Sequence, residues 1–375
     1  LHDRAVPGTK SFRVLLSNPT GGAMLGASSI TVSIVGAYAS VAPQFDTSLA
    51  IRQEGGLRLL TWSGGGQLQK ADRSSGPWQT LTSATSPYAI QSPVPSTFYR
   101  VSKPRPVNVY IPSGYDPQNA MPLVILLHEY SGTGQYVENY LQLQPLAETR
   151  GFLYCYPDST IDQWGYEFWN ATDASADLGN TGVDDAGSLR ALIEEIGSQF
   201  AVDRKRVYMI GHSNGGFMAY RMACQSADLI AGIASLAGTT FLDPGRCQPS
   251  QPVNILHIQG TADEIVFYAG GAATTANTAF PFPFPGNLPA FPGALRDVEI
   301  WATYNGASDP VTDATPSMDL TTDVAGLDTV VTRYTTSPPG GAVELWTIIG
   351  GTHGPTLSSD FSPRVIDWLL AHPKP

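Results

Sequence analysis

A mostly parallel β-sheet with helices on both faces, preceded by a small β-rich region, is the α/β fold class that the sequence predicts. Three observations carry this. From about residue 106 onward, short apolar runs alternate with helical stretches. Most of those runs are largely apolar, as in strands covered on both sides. The first hundred or so residues instead show β-like alternation and contain no ten-residue amphipathic stretch. The expected divisions are a β segment over 1–40, a small β-rich module over 41–103, and a large α/β domain over 104–375.

Ser11–Leu16 and Ser29–Val35 alternate as half-buried strands do, with Asn18-Pro19-Thr20-Gly21-Gly22 as turn chemistry between them. Leu57–Trp62, Leu68–Ala71 and Thr97–Val101 are the next strand candidates, separated by Gly and Ser-Pro turns. After Pro106 the predicted strands are Val107–Ile111, Leu123–His128, Phe152–Tyr156, Val207–Gly211, Ile230–Leu236, Val253–Gln259, Thr329–Tyr334 and Val343–Ile349. Helices are predicted near Tyr136–Thr149, Asp184–Phe200, Ser213–Cys224, Ala294–Tyr304 and Ser362–His372. The second of these opens on an acidic pair, and Leu189, Leu192, Ile193 and Ile196 share one face. Asp184 and Asp185 are read as capping and loop-pinning groups. Ala279–Pro292 alternates Phe with Pro. Solvated phenylalanines would be costly, so a lid or pocket wall is expected, with Phe282 and Phe284 as candidate substrate contacts and Pro limiting the entropy of ordering.

Of the 375 residues, 42% are hydrophobic, enough for a large core, and only 14% are charged, against about 25% in an average soluble protein. Lys and Arg number 21 and Asp and Glu 32, a net charge of −11. That balance argues against nucleic acid, which needs a basic face, and against anionic membrane surfaces. No apolar run is long enough to span a bilayer. Cys155, Cys224 and Cys247 lack C-x-x-C spacing and a histidine cluster, so neither a metal site nor a cofactor is expected. Low charge with many Ser, Thr, Gly and Tyr points to a secreted protein. Leu1 is not an initiator Met, and a chain beginning after processing is expected.

Gly211-His212-Ser213-Asn214-Gly215-Gly216 fits G-x-S-x-G, follows the apolar strand ending at Ile210, and opens the helix at Phe217. Strand before and helix after is the context of a nucleophile elbow. The turn lifts Ser213 Oγ above the sheet, and the helix N-terminus faces developing negative charge. Of six histidines, His2 is terminal, His128 ends a strand before the elbow, His212 is the elbow neighbour, His257 lies mid-strand in an apolar run, and His372 sits in the tail. His353, in the Gly-rich loop between the last strand and last helix, is the candidate base. The orienting acid should lie between Ser and His in the chain. Asp263, after the strand Val253–Gln259, fits; Glu264 is the alternative. The two N–H donors for a tetrahedral intermediate are assigned to Asn214 and to Tyr130, the latter in the loop after Leu123–His128, with Glu129 the alternative there.

Seven segments in this order, LLHEYSGTG, FWNATDA, GVDDAGSLRALIEEI, KRVYMIGHSNGGFMAYRMAC, HIQGTADEIV, ELWTIIGGTHG and VIDWLLAHPKP, resemble the secreted α/β-hydrolase esterases grouped as polyhydroxybutyrate depolymerase-like and feruloyl esterase-like proteins. The resemblance covers about residues 104–375. It implies an α/β-hydrolase fold, carboxylic-ester hydrolysis, and a triad on Ser213, Asp263 and His353. These esterases usually have His-Gly where this chain has His128-Glu129. In them the Phe-Trp-Asn segment, here with Trp169 and Asn170, lies near the substrate pocket; the competing reading puts its aromatics in the core. Ser11–Val35 resembles the last strands of a Calx-beta domain, without the acidic residues for calcium.

The expected function is therefore a secreted serine esterase acting on a polymeric ester: feruloyl or acetyl esters of plant polysaccharide, or a polyester such as polyhydroxybutyrate. A surface-binding protein on an inactive scaffold is the competing class. Cys224 ends the elbow helix, and the strand Ile230–Leu236 must lie beside the elbow strand, which returns Cys247 toward Cys224. The resembling esterases often carry a Cys pair here, so a Cys224–Cys247 disulfide is expected, with Cys155 a buried free thiol.

Overall fold

The computed structural model describes residues 107–162, 164–175, 183–272 and 289–375. Of the N-terminal region it describes 10–15, 29–34, 37–41, 49–54, 57–61, 68–71, 79–81, 84–90 and 98–101. Ten strands form one sheet: β1 (Ala37–Val41), β2 (Val107–Ile111), β3 (Met121–Leu127), β4 (Leu153–Cys155), β5 (Val202–His212), β6 (Gly232–Leu236), β7 (Asn254–Gly260), β8 (Ser308–Thr312), β9 (Thr329–Thr336) and β10 (Val343–Ile348). Their order across the sheet is β8-β9-β10-β7-β6-β5-β3-β4-β2-β1. The central strands from β10 to β4 run parallel, and the strands outside them pair antiparallel.

Among the described residues, six helices cover this sheet: α1 (Gly134–Leu141), α2 (Gln144–Arg150), α3 (Asp185–Gln199), α4 (Asn214–Gln225), α5 (Ala294–Asn305) and α6 (Phe361–Ala371). Successive strand residues point to opposite faces. Leu123, Ile125, Val207, Met209, Ile233, Ile255 and Leu345 thus enter a core with α3, α4 and α5. Val124, Leu126, Tyr208, Ile210, Ala234, Leu256 and Trp346 enter a second core with α1, α2 and α6. Both faces of the central strands are covered, which is why those strands read as mostly apolar runs. This is the α/β-hydrolase arrangement, with the strands' carboxyl ends gathered on one rim.

Besides β1, two elements of the large sheet and its helices depart from the sequence-based expectation. The single helix expected over Tyr136–Thr149 is two helices, because Gln142 takes a left-handed φ of 53° and ends α1. Pro145, in the first turn of α2, lacks an N–H and cannot continue a helix from upstream. The buried Glu138 carboxylate bridges the break, accepting from Leu143 N at 3.2 Å and Gln144 N at 3.0 Å. β8 was not expected at all: every one of its residues is exposed, so it carries no hydrophobic signature. At the head of α3, Asp184 accepts from Gly187 N at 2.9 Å as an N-cap.

In the N-terminal region, Lys10–Leu15 pairs antiparallel with Ser29–Ile34, and two three-stranded sheets are built around Leu57–Thr61 and Leu68–Ala71. β1 belongs instead to the large sheet, antiparallel to β2, with Val41 opposite Val107.

Cys224 and Cys247 form a disulfide, with their Cα atoms 5.4 Å apart. Cys155 is free and buried in β4, and burial pushes its thiol far above the usual range. The denatured, unreduced protein should therefore titrate one thiol; three would refute the bond. Cys224 and Cys247 are 23 residues apart, a loop whose closure is worth about 3 kcal/mol in the chain-entropy model, so reductant should lower the melting temperature.

Candidate active site

Between the end of β5 and the start of α4 the chain reverses in one residue. Ser213 takes φ 51° and ψ −119°, a conformation that L residues rarely adopt and that costs about 1–3 kcal/mol. Ser213 N donates to Leu236 O of β6 at 2.8 Å, and Ser213 O accepts from Phe217 N at 3.0 Å, so the turn is held from both sides. A side chain at Gly211 would collide with the Gly215 backbone, and one at Gly215 with the Leu127 carbonyl. The glycines allow α4 to start directly against the sheet.

The loop after β10 carries His353, and the turn after β7 carries Asp263. These loops are stitched together: Ala262 N donates to Gly351 O at 2.9 Å and Gly350 N to Thr261 Oγ1 at 2.8 Å. His353 Nε2 lies 2.9 Å from Ser213 Oγ, and His353 Nδ1 lies 3.0 Å from each Asp263 carboxylate oxygen. With Ser213 Oγ–H donating to Nε2, the imidazole proton sits on Nδ1 and faces Asp263. Asp263 Oδ1 also accepts from Ile265 N at 2.9 Å and Val266 N at 2.8 Å, which fixes its rotamer. All three side chains are buried. Glu264, the alternative acid, instead accepts from the His353 backbone N at 3.2 Å. His128 is a poor base here. Burial pushes its imidazole below the usual range, and its Nδ1 is tied to Glu129 O at 2.7 Å.

Asn214, the first residue of α4, has its side chain locked in place. Its Oδ1 accepts from Trp169 N at 2.7 Å, and its Nδ2 donates to Trp169 O at 2.9 Å and Ser175 Oγ at 2.7 Å. Trp169 is fully buried and its indole N–H donates to His128 O at 3.0 Å. Of the two readings of Trp169, the structure places it in the core, joining the end of β3 to the start of α4. Asn170 is likewise committed to its own loop. Its N–H donates to Asp185 Oδ2 at 2.6 Å, its amide to Val183 O at 2.8 Å, and its carbonyl accepts from Arg221. Tyr130 donates its phenol to Asp162 Oδ2 at 2.6 Å and packs on Tyr166. Phe282 and Phe284 lie outside the described residues. Phe291, from the same Phe-Pro stretch, packs in the core against Phe217 and Phe267.

Glu129 is partly buried, its carboxylate 3.8 Å from His212 Nδ1. Burial alone would raise its pKa, but His212 holds it below the ordinary carboxylate range. His212 Nε2 in turn lies 3.0 Å from His353 O.

The sequence did not point to a set of polar groups behind Asp263. Gln259 Nε2 donates to Asp263 Oδ2 at 3.0 Å, and Gln259 Oε1 lies 3.0 Å from His257 Nε2. His257 Nδ1 lies 2.9 Å from Tyr220 Oη and 3.4 Å from Asp297 Oδ2. Asp297 Oδ1 accepts from Thr240 N at 2.6 Å. Burial pushes Asp297 from 3.8 up to about 7 and His257 from 6.5 down to about 4. The available signal was a His and a Gln two residues apart in an otherwise apolar strand, hence on one face.

Two measurements follow from this geometry. Ser213→Gly removes the Cβ that makes the turn strained, so its folded form should be about 1 kcal/mol more stable than that of Ser213→Ala, after the entropic cost of glycine. Equal melting temperatures would show the turn to be relaxed. Because burial raises the Asp297 pKa to about 7, its stabilising contribution is complete below about pH 4 and is lost as pH rises to about 7. His257 runs the other way: its contribution is present above about pH 6.5 and lost as pH falls to about 4. Asp297→Asn removes the first and leaves the second. Its melting temperature should fall more steeply than wild type between pH 7 and pH 4, and parallel curves would refute the assignment.

Residues 106–254 match the family model described as Esterase PHB depolymerase. Feruloyl esterase B of Piromyces equi is 31% identical over 252 residues, spanning 66% of this chain and 42% of that protein. Putative esterase NocK of Nocardia uniformis subsp. tsuyamanensis is 30% identical over 190 residues, 50% of this chain and 53% of its own. Poly(3-hydroxyalkanoate) depolymerase C of Paucimonas lemoignei is 27% identical over 254 residues, 65% of this chain and 57% of its own. The chain thus spans about half the length of these relatives. Residues 106–254 are an Esterase PHB depolymerase family domain, related in sequence to feruloyl esterases and polyhydroxyalkanoate depolymerases.

Proposed function

We propose that the protein is a secreted serine carboxylic-ester hydrolase that works through an acyl-enzyme. The observation that carries this reading is the continuous hydrogen-bonded line Ser213–His353–Asp263 on the carboxyl rim of the sheet. His353 takes the Ser213 proton as Oγ attacks the ester carbonyl, then delivers it to the departing alcohol. Water repeats the sequence on the acyl-enzyme. Asp263 holds the imidazole tautomer and stabilises the imidazolium. The backbone N–H groups of Asn214 and Tyr130 are assigned to the oxyanion, each worth about 3 kcal/mol in the transition state. Secretion is supported by the Cys224–Cys247 disulfide, a bond that persists in oxidising compartments. Among the described residues no helix is long and apolar enough to cross a membrane.

A cavity of about 260 Å³, lined by Thr172, Asp173, Thr240, Phe241, Leu242 and Pro289 among others, is the proposed acyl site. The two loops that supply most of its lining also carry residues that touch the elbow. Gly238, two residues before Thr240, packs on the Ser213 carbonyl, and Ser175 bonds the Asn214 side chain. The Thr172 and Thr240 hydroxyls are buried without a hydrogen-bond partner. An aromatic acyl group would lie against the exposed Leu242 side chain in this lining. Feruloyl or acetyl esters of plant polysaccharide are therefore the favoured substrates. Polyester hydrolysis is the second reading, favoured by the polyhydroxyalkanoate depolymerase relative.

Ser213→Ala and His353→Ala should each lower turnover of a 4-nitrophenyl ester by several orders of magnitude, since triad members act as a unit. Retention of most activity in either variant would overturn the mechanism. Methyl ferulate, acetylated xylan and polyhydroxybutyrate film, assayed side by side, should rank in favour of the first two; hydrolysis of the film alone would reverse the order of the readings.

A further inference from the structure

Behind the acid of the triad lies a buried line of polar groups whose hydrogen positions can be worked out one after another. Gln259 is fully buried, and its Nε2 faces two groups that can only accept, Asp263 Oδ2 and Val266 O. That end is therefore the NH2, and the carbonyl end Oε1 faces His257. His257 Nε2, 3.0 Å from Oε1, must carry the proton. The ring is wholly buried and held neutral, so Nδ1 is a bare lone pair, and Tyr220 Oη at 2.9 Å donates to it. Asp297 Oδ2 then lies 3.4 Å from that same lone pair, with no donor directed at it. A carboxylate there could take only the Tyr220 O–H, and only by leaving the imidazole lone pair without its donor. A protonated carboxyl resolves the conflict, with Oδ2–H donating toward Tyr220 Oη or His257 Nδ1, while Oδ1 accepts from Thr240 N. Burial favours the same acid form.

Resting on the hydrolase reading above, we propose that Asp297, Tyr220, His257 and Gln259 form a proton-ordered hydrogen-bond chain that positions and polarises Asp263, with Gln259 as its contact to the triad. Every donor in the chain points the same way, from Asp297 toward Asp263, so each bond strengthens the next. Gln259 delivers the last N–H to the carboxylate that orients His353. These are positioning residues: none of them touches Ser213 or a reacting atom. The groups facing Asp297 are Tyr220 from α4, His257 from β7 and the Thr240 amide after β6. Those facing Asp263 are His353, Gln259 and the amides of Ile265 and Val266.

The chain has a polarity that deprotonation reverses. Once Asp297 is an anion it needs a donor, and the available ones are Tyr220 O–H and a proton on His257 Nδ1. Placing the imidazole proton on Nδ1 leaves Nε2 a lone pair opposite Gln259 Oε1. Gln259 can answer only by turning its amide, which withdraws its N–H from Asp263. Ionisation of Asp297 is thereby felt at the triad across two side chains.

The test uses the whole 375-residue chain and reads both the pH profile of kcat/KM and the far-downfield Nδ1–H proton resonance of His353. In wild type, kcat/KM should decline on the alkaline side as Asp297 ionises, and the resonance should shift over the same range. Asp297→Asn, whose amide cannot ionise and still offers a donor, should move that decline up by at least one pH unit. Gln259→Leu should lower kcat about tenfold with KM within twofold. In its background, Asp297→Asn should no longer alter the pH profile or the resonance. Should Gln259→Leu fail to fold, Gln259→Met fills the same volume and gives the same test. An unchanged kcat and alkaline limb in the Gln259 variant, or an effect of Asp297→Asn that survives removal of Gln259, would overturn the chain. A wild-type protein without ester turnover, or a Ser213→Ala variant that keeps it, would sink the hydrolase reading instead. The His353 resonance needs no turnover, so it judges the chain independently.

Discussion

The close approach of α4 to the sheet is the constraint on which the molecule turns. A helix that begins one residue after a strand cannot clear the strand's own backbone unless side chains are absent where the two meet. Gly211, Gly215 and Gly216 in the elbow and Gly238 after β6 supply that absence, each pressed against backbone or a short side chain of a neighbouring segment. The strain gathers on the one residue that must keep a Cβ, Ser213. Strain at one residue persists only where its surroundings over-determine it. Here they do, through the amide bond to Leu236, the helix bond to Phe217 and the dry layers on both faces of the sheet.

From that fixed point the rest of the rim is assembled by short polar ties rather than by bulk. The Asn214 side chain grips the Trp169 backbone, and Trp169 reaches His128 at the end of β3, so three loops share one scaffold. On the other side the β7 and β10 loops are laced together by backbone bonds, which leaves Asp263 and His353 little freedom relative to each other. The Thr240 amide on Asp297 joins the cavity loop to the polar groups buried behind the acid. Pre-organisation of this kind removes reorganisation cost from the chemical step.

The central strands and the elbow were legible because their signals are local. Val207–Ile210 is an unbroken apolar run, and G-x-S-x-G follows it directly. His353 and Asp263 could be reached from chain order and loop position, because a doubly covered parallel sheet places such loops on one rim. What could not be read depends on contacts far apart in sequence. Trp169 looks the same in a sequence whether its ring lines a pocket or fills a core; only Asn214, 45 residues on, decides it. The break at Gln142 rests on one left-handed residue that is not a glycine. β8 joins the sheet through backbone pairing alone. The polar set on β7 needs α4 and α5 beside it before His257 and Gln259 become anything other than two oddities in an apolar strand.

The pairing of β1 with β2 changes what the N-terminal region is. Val41 and Val107 face each other at the end of the ladder, so the chain leaves the large sheet and re-enters it at the same place. Topologically, residues 42–106 are an insertion into a β-hairpin rather than a leader in front of a domain. Two residues of turn would suffice to join β1 directly to β2. The interposed region is thus free to be lengthened, exchanged or lost in evolution without altering the path of any strand behind it.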